Sequence, residues 1–245
     1  MTQNTPINSS EPRLTGLLVA LAGLFVTFLI TSNIIAVKLI AIDPPLPGFL
    51  GDQRILPAAI VVFPITYILG DVLTEVYGFQ YARRVIWLGF LCNLVAVLAF
   101  WIGGLLPAAV FWQDQGAYET ILGSTPRLLT ASFIAYLVGE FSNSMVLAWL
   151  KGVTQGRFLW LRTISSTVVG QGFDSFVFIF IAFGLSGVLG AEQLFRIALI
   201  QWWAKIAYEA LATPLTYWVV NYLKRREQLD VYDTPRSLNP LAVFA

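Results

Sequence analysis

The sequence predicts an all-α membrane protein in which six transmembrane helices form a single bundle, and three observations support this class. The chain has 245 residues, of which 57% are hydrophobic and 12% are charged, whereas soluble domains carry about 25% charged residues. Its apolar residues fall into six runs, each with the roughly 20 residues that are needed to cross a bilayer. Most Lys and Arg residues outside these runs fall on one side of the predicted bundle, as the positive-inside rule describes.

The six predicted spans lie at about 14–41, 56–78, 84–106, 128–150, 165–189 and 195–223. Lipid offers no hydrogen bonds to the backbone, so each span is expected to be a helix. Together they form a transporter domain over 14–223, between a disordered tail at 1–13 and a basic, polar tail at 224–245. The first apolar run is too long for a cleaved signal peptide, and we expect it to be a retained span.

The basic residues predict that both termini are cytoplasmic. On the side of the termini lie Arg13, Arg83, Arg84, Lys151, Arg157, Arg162, Lys224, Arg225, Arg226 and Arg236. On the other side lie Arg54, Arg127 and Arg196. This asymmetry places the first group inside.

The two longer outer loops differ in character. The first, at 43–48, contains three prolines and is predicted to be a rigid turn. The second, at 107–127, carries Phe111, Trp112 and Tyr118. It is either a short amphipathic segment at the membrane interface, where aromatic rings prefer to lie, or a plain loop.

Composition excludes several kinds of site. The chain has no histidine, and Cys92 is its only cysteine, so histidine-based catalysis, histidine metal sites and an intrachain disulfide are excluded. The net charge of +1 gives no argument for a nucleic-acid partner. No P-loop motif is present, no cofactor or metal is predicted, and we do not expect an enzyme.

The second span carries two carboxyl groups on one face of an apolar helix. Asp71 and Glu75 are four residues apart and share that face with Phe63 and Tyr67. An acid within a span costs roughly 2.5–3.5 kcal/mol on insertion scales, and such residues usually face a solute or ion pathway. Asp71 lies about one helical turn deeper than Glu75 and is therefore the harder of the two to explain by structure alone.

Three polar residues of the first two spans also have structural explanations. Glu75 is near the inner end of its span and could pair with Arg83 or Arg84. Asn33 could hydrogen-bond a neighbouring helix or line a pocket. Lys38 could extend to the outer interface.

The last three spans carry six further polar residues: Glu140, Asn143, Gln171, Asp174, Lys205 and Glu209. The two in each span are three or four residues apart and so share a helix face. Lys205 is tolerable in lipid only if it is neutral or paired. Its possible partners are Glu209 in its own helix and Asp174 or Glu140 across helices.

So many charges in apolar helices favour a binding cavity with surplus negative charge. Carboxylates can accept adjacent N–H groups in pairs, and aromatic faces accept flat ligands. Candidate stacking surfaces are Phe63, Tyr67, Phe173 and Trp203. Gly170 and Gly172 let helices or a ligand approach closely.

Residues 63–84 carry a motif: Phe63-Pro64, Thr66-Tyr67, Asp71 and Glu75-Val76-Tyr77-Gly78, followed by Ala82-Arg83-Arg84. This motif resembles the signature of the queuosine precursor transporters, small bacterial membrane proteins also described as vitamin-uptake-type transporters. The Gln-x-x-Asp at Gln171 and Asp174 is similar to that family as well, and Lys205 supports the resemblance. The fourth span departs from it, because the family has an amide followed three residues later by Asp, whereas this chain has Glu140 followed by Asn143.

The resemblance implies a multi-pass transporter of the bacterial inner membrane with an S-component-like bundle, which imports 7-deazaguanine bases without an ATPase module. With the polar pattern, it predicts a substrate site formed by Asn33, Phe63, Tyr67, Asp71, Glu75, Glu140, Asn143, Gln171, Asp174, Lys205 and Glu209. The alternatives are a proton-coupled carrier for another small metabolite and an ECF-like substrate-binding subunit. The sequence leaves open the preferred precursor, the energy coupling and the oligomeric state, a homodimer included.

Overall fold

A computed structural model describes residues 14–41, 55–123, 126–184, 190–234 and 238–242. These ranges contain the helices α1 Gly16–Ile35, α2 Phe63–Tyr77, α3 Phe79–Leu105, α4 Gln115–Leu122, α5 Pro126–Val153, α6 Leu159–Phe183 and α7 Ala191–Glu227. A short ribbon of β1 (Leu39–Ala41) and β2 (Ile55–Pro57) pairs antiparallel before a 3-10 turn, Ala58–Val61. The fold is otherwise helical, as predicted. The tail at 1–13 and the turn at 43–48 lie outside the described residues.

Five helical segments are long and apolar enough to cross a membrane: Gly16–Ile35, Ala58–Tyr77, Phe79–Leu105, Thr130–Val153 and Leu159–Phe183. They match the first five predicted spans and support a multi-pass membrane protein. The predicted sixth span is not confirmed, because α7 has the length, at 37 residues, but is not among the apolar segments. The helix continues through Pro214. The side of the membrane on which the termini lie stays a prediction.

Helix α2 lies at the centre of the bundle. In its span 67% of the residues are buried, against 22% in the spans of α1 and α3, and it contacts α1, α3, α5 and α7. Pro64 lies in its first turn, where the missing N–H leaves no hydrogen bond unmade. The helix ends at Gly78, whose φ of 84° favours glycine, and α3 begins directly afterwards at Phe79. The polar residues of α2 therefore face protein rather than lipid.

The outer loop contains a helix, α4, rather than only irregular chain, in line with the predicted short segment. The Tyr118 hydroxyl donates to the Phe100 carbonyl at 2.9 Å. Gln115 Nε2 donates to the Gly104 carbonyl at 3.2 Å. These two bonds hold α4 against the end of α3.

Helices α5 and α6 share the most extensive contact in the bundle, because glycines face each other across it. A Cβ at Gly170 would lie 2.6 Å from Asn143 Cβ and 2.8 Å from the Gly139 carbonyl oxygen. A Cβ at Gly139 would lie 2.7 Å from Asp174 Cβ. Small residues let helix backbones approach closely, and here they bring the polar residues of α5 beside those of α6.

Candidate functional site

Four carboxyl groups and one lysine from four helices meet inside the bundle. We call them the acid cluster: Asp71 of α2, Glu140 of α5, Asp174 of α6, and Lys205 and Glu209 of α7. Each is at most 8% exposed. Asp71 interacts electrostatically with Glu140 and Glu209, and Glu140 interacts with Asp174. The fold thus brings together acids that the sequence places in four separate predicted spans.

Asp71 is held by an amide from the neighbouring helix. Asn143 Nδ2 donates to Asp71 Oδ1 at 2.6 Å. Asp71 Oδ2 and Asn143 Oδ1 have no hydrogen-bond partner among the described residues. The pair links α2 to α5 and leaves one acceptor atom on each residue for a ligand.

Lys205 pairs with Asp174, one of the three partners that the sequence leaves open. Its ammonium donates to Asp174 Oδ2 and lies 4.9 Å from the centre of the Phe63 ring. That ring contacts Tyr67 edge to face, with ring centres 5.5 Å apart. A cation over an aromatic face is attracted by the ring, so this lysine is paired within the bundle.

Unpartnered polar atoms concentrate at the same place. Within the described part of the chain, buried side-chain atoms without a hydrogen-bond partner include Tyr67 Oη, Asp71 Oδ2, Glu140 Oε1 and Oε2, Asn143 Oδ1, Gln171 Oε1 and Glu209 Oε1. Each such group costs roughly 1–3 kcal/mol, and native proteins keep few of them. The arrangement can accept several N–H groups and donate from a tyrosine hydroxyl, which suits a polar ligand that supplies the missing partners.

Gly70 makes room for one of these acids. A Cβ at this position of α2 would overlap the carboxylate of Glu140. The side chain of Glu140 therefore lies directly over the α2 backbone, beside Asp71. Its carboxylate reaches the cluster only because position 70 has no side chain.

Three residues proposed from the sequence lie elsewhere. Asn33 donates to Asn93 Oδ1 at 3.1 Å and accepts from Ser132 Oγ at 3.4 Å, which matches its predicted structural alternative. Phe173 is 50% exposed and Trp203 is 51% exposed. These two rings lie on the surface of the bundle, so the prediction that they stack on a ligand in the cluster has no support.

Glu75 belongs to a second group at one end of the bundle, which we call the basic network: Glu75, Lys151, Arg162, Lys224 and Asp230. Arg162 donates to both carboxylate oxygens of Glu75. Lys224 Nζ lies 2.6 Å from Glu75 Oε1, and Lys151 Nζ donates to the Glu75 main-chain carbonyl at 2.6 Å. Glu75 therefore does pair with cations, as its structural alternative predicts, but with residues other than the Arg83 or Arg84 proposed from the sequence.

Sequence reasoning missed the burial of these cations. Lys151 and Arg162 enter the prediction of orientation as loop charges, yet each is 1% exposed. Nothing in the local sequence separates a buried arginine from one in a loop. The sequence feature that could have indicated buried cations is Glu75 itself, since a buried carboxylate at that depth requires a partner from another helix.

Asp230 completes the network from the chain that follows α7. Its Oδ1 lies 2.7 Å from Lys151 Nζ and 2.9 Å from Lys224 Nζ. Burial alone would raise the pKa of Asp230, but its ion pairs with these two lysines outweigh burial and lower the pKa below its ordinary value. The carboxylate is therefore ionised at neutral pH.

Comparisons with known proteins place the chain among membrane transporters. A family model described as "Putative vitamin uptake transporter" matches residues 57–219. A "Probable queuosine precursor transporter" of Bacillus subtilis (strain 168) is 32% identical over 160 residues, covering 64% of this chain and 68% of that protein. A "Queuosine precursor transporter" of Escherichia coli (strain K12) is 32% identical over 145 residues, covering 59% of this chain and 63% of that protein. No solved structure matches the chain significantly.

Proposed function

We propose a transport function from one premise: the chain belongs to the vitamin uptake transporter family, whose model matches most of its length. The protein carries queuosine precursors, the 7-deazaguanine bases, across the bacterial inner membrane. Relatives of this chain bear the name queuosine precursor transporter, and its polytopic helical fold suits that role. It is a carrier rather than an enzyme.

The acid cluster is the proposed substrate site, and its unpartnered polar atoms are the observation that carries this proposal. Asp71 and Glu140 each offer carboxylate oxygens without a partner among the described residues. A guanine-like edge presents adjacent N–H donors that a carboxylate accepts in pairs. The rings of Phe63 and Tyr67 lie beside the ion pair of Lys205 and offer a face to a flat base.

Helix α7 is the proposed sixth span. Its 37 residues rise about 1.5 Å each, which is more than enough to cross the hydrocarbon core. It is less apolar than the other spans because it supplies Lys205 and Glu209, both buried against the bundle. With six spans both termini lie on one side of the membrane, which the basic residues place in the cytoplasm.

Ligand-dependent thermal stability tests this function. The detergent-purified protein is heated with 7-deazaguanine bases, and with guanine and several vitamins as controls. A ligand that binds only the folded protein stabilises it by about 2.7 kcal/mol at a hundredfold excess over Kd. We expect a selective rise in Tm with 7-deazaguanines. A rise with a different vitamin would keep the site but replace the substrate, and no rise with any of them would reject the proposed carrier.

A substitution in the cluster tests the site separately. Asp174→Asn removes the charge that pairs with Lys205 and should abolish the ligand-dependent rise in Tm while the protein still inserts and melts cooperatively. The matched control is Asp114→Asn, because Asp114 is exposed in the outer loop and should leave the rise unchanged. Full retained affinity in Asp174→Asn contradicts the assigned role.

A further inference from the structure

The chain that follows α7 crosses the end of the bundle that holds the basic network. We call its described residues, 228–234 and 238–242, the C-terminal strap. Lys151 Nζ donates to the Val231 carbonyl at 2.6 Å, and the Phe79 N–H donates to Asp233 Oδ2 at 2.9 Å. Further along, the carbonyls of Asn239 and Pro240 accept hydrogen bonds from α3. The strap is therefore held to α3 and α5.

The basic network joins four helices and the strap at this end. Glu75 comes from α2, Lys151 from α5, Arg162 from α6 and Lys224 from α7, while Asp230 comes from the strap. Lys224 contacts the carboxylates of both Glu75 and Asp230. Separation of α7 from α2 at this end therefore requires that Lys224 leave Glu75.

The network forms the next layer below the acid cluster. Glu75 follows Asp71 by four residues in α2, a rise of about 6 Å along the helix. The two acids differ in their partners, because the Glu75 carboxylate is bound by cations whereas Asp71 keeps an unpartnered oxygen within the described part of the chain. The surroundings of Asp71 suit ligand binding, whereas those of Glu75 suit holding the helices together at this end of the bundle.

We propose that the basic network is the gate that closes the acid cluster toward the side of the membrane on which α7 ends, and that Asp230 of the strap holds it shut. The inference rests on the proposed transport function. Three cations surround the carboxylate of Glu75, and Asp230 supplies the second negative charge between Lys151 and Lys224. Without Asp230 the two ammonium groups repel each other across the junction of α5 and α7.

A buried thiol reporter on α5, next to the Asp71 partner Asn143, tests the gate without any ligand. Ser144 is fully buried on α5, one residue after Asn143 and seven before Lys151. Ser144→Cys is made together with Cys92→Ser, and a membrane-impermeant thiol reagent is applied from the side of the C-terminus. We expect slow modification in this background. Adding Asp230→Asn should raise the rate about tenfold, within the roughly 5–150-fold range of typical conformational couplings.

Matched variants distinguish opening of the gate from a general loss of packing. Asp230→Glu keeps the charge and should leave the thiol protected. Glu227→Gln makes the same neutralisation three residues earlier, at a residue with no ion pair to any described side chain, and should also leave it protected. A second reporter at Ala198, buried in the core between α6 and α7, should stay unreactive in every variant, since only unfolding exposes it.

The result that overturns the proposal is a reporter at position 144 that stays equally protected in Asp230→Asn and in Lys224→Gln while both variants remain folded. Equal modification of the reporters at 144 and 198 overturns it as well, because it indicates unfolding rather than opening. Ligand-dependent Tm is measured on the same samples. Loss of the accessibility effect with an intact rise in Tm rejects the gate alone. An intact accessibility effect without a rise in Tm for any ligand rejects the proposed carrier function but not the closure of this end of the bundle.

Discussion

At the scale of single residues, two carboxylates one turn apart in α2 have opposite surroundings. Glu75 is bound by Arg162 and Lys224, and Asp71 shares one oxygen with Asn143 and leaves the other unpartnered among the described residues. A buried charge is tolerated when it is paired, and breaking such a pair typically costs about 3–5 kcal/mol. Neighbouring positions on one helix face can therefore serve stability and ligand binding separately.

Glu140→Gln should separate the effect of this residue on stability from its effect on ligand binding. Glu140 is fully buried, and neither carboxylate oxygen has a partner in the described structure. A neutral amide of the same shape removes an uncompensated carboxylate, so we expect Tm to stay equal or rise. The rise in Tm with 7-deazaguanine should be lost. Glu192→Gln, at an exposed residue of α7, is the control, and a drop in the Tm of Glu140→Gln alone would contradict the expectation.

The pair of Lys205 and Asp174 should show strong coupling in a double-mutant cycle. Lys205→Met leaves the Asp174 carboxylate buried without its cation and should cost about 3–5 kcal/mol of unfolding free energy. Adding Asp174→Asn removes that charge, so the double variant should recover part of the loss. Melting curves of the four proteins measure the coupling. Additive losses would show that the pair contributes nothing beyond its separate residues.

At the scale of elements, the contact between α5 and α6 sets the geometry of the site. Gly139 and Gly170 face each other, and each directly precedes a site residue, Glu140 or Gln171. A side chain at either glycine would push the helices apart. The same close contact that stabilises the pair therefore fixes the distance between the polar residues of the two helices.

Gly139→Ala should destabilise the protein, whereas Gly152→Ala should not. The added Cβ at 139 meets Asp174 Cβ at 2.7 Å and the Gly170 carbonyl at 3.1 Å, and overpacking of this kind costs about 1–3 kcal/mol. Gly152 lies on the same helix with nothing within 4 Å of an added Cβ, so alanine there should stabilise by roughly 0.5–1 kcal/mol. The Tm of both variants tests the contrast, and equal values would contradict it.

Hydropathy and residue spacing predicted most membrane spans correctly but did not predict the ion-pair partners of Glu75. Apolar length alone locates α1 to α3, α5 and α6, because a membrane span is a local property of the sequence. Which cation meets Glu75 depends on the crossing of distant helices, so Arg162 and Lys224 could not be chosen over the adjacent Arg83. The polar spacing did identify Asp71, Asn143 and Asp174 as residues of one interior, since each lies deep in an apolar run.

At the scale of the whole molecule, two polar layers lie in sequence along the bundle. The acid cluster holds oxygens without a hydrogen-bond partner among the described residues. In the basic network next to it, the acids are bound by cations from three helices, α5, α6 and α7. The strap covers the network and ties α7 to α3 and α5. The proposed gate would thus protect the proposed site on the side where α7 ends.

The pH dependence of the strap follows from Asp230. Its pKa lies below the ordinary value because Lys151 and Lys224 face it, while Glu75 and Arg162 complete the same network. Its stabilising charge is therefore fully present above about pH 3.9, the ordinary value, and is lost as the pH falls through the lower folded value. We expect the strap to stay docked between about pH 5 and 8 and to loosen in stronger acid.

A nitroxide at Leu241, a residue that is 76% exposed, measures this loosening by its mobility. The label requires Leu241→Cys with Cys92→Ser. In Asp230→Asn the label should be mobile already at neutral pH and should show no acid step. A step of equal size in Asp230→Asn would show that another group controls docking of the strap.

The strap is held largely through its own main chain, since the carbonyls of Val231, Asn239 and Pro240 accept the bonds from Lys151, Arg83 and Trp87. A carbonyl is present whatever the side chain, so most residues of this segment can change while its length and its two acids, Asp230 and Asp233, are kept. The family model ends at residue 219, before the strap begins. Among relatives we therefore expect C-terminal sequences that differ while a strap still closes this end of the bundle. A comparison of sequences alone would not detect that shared contact.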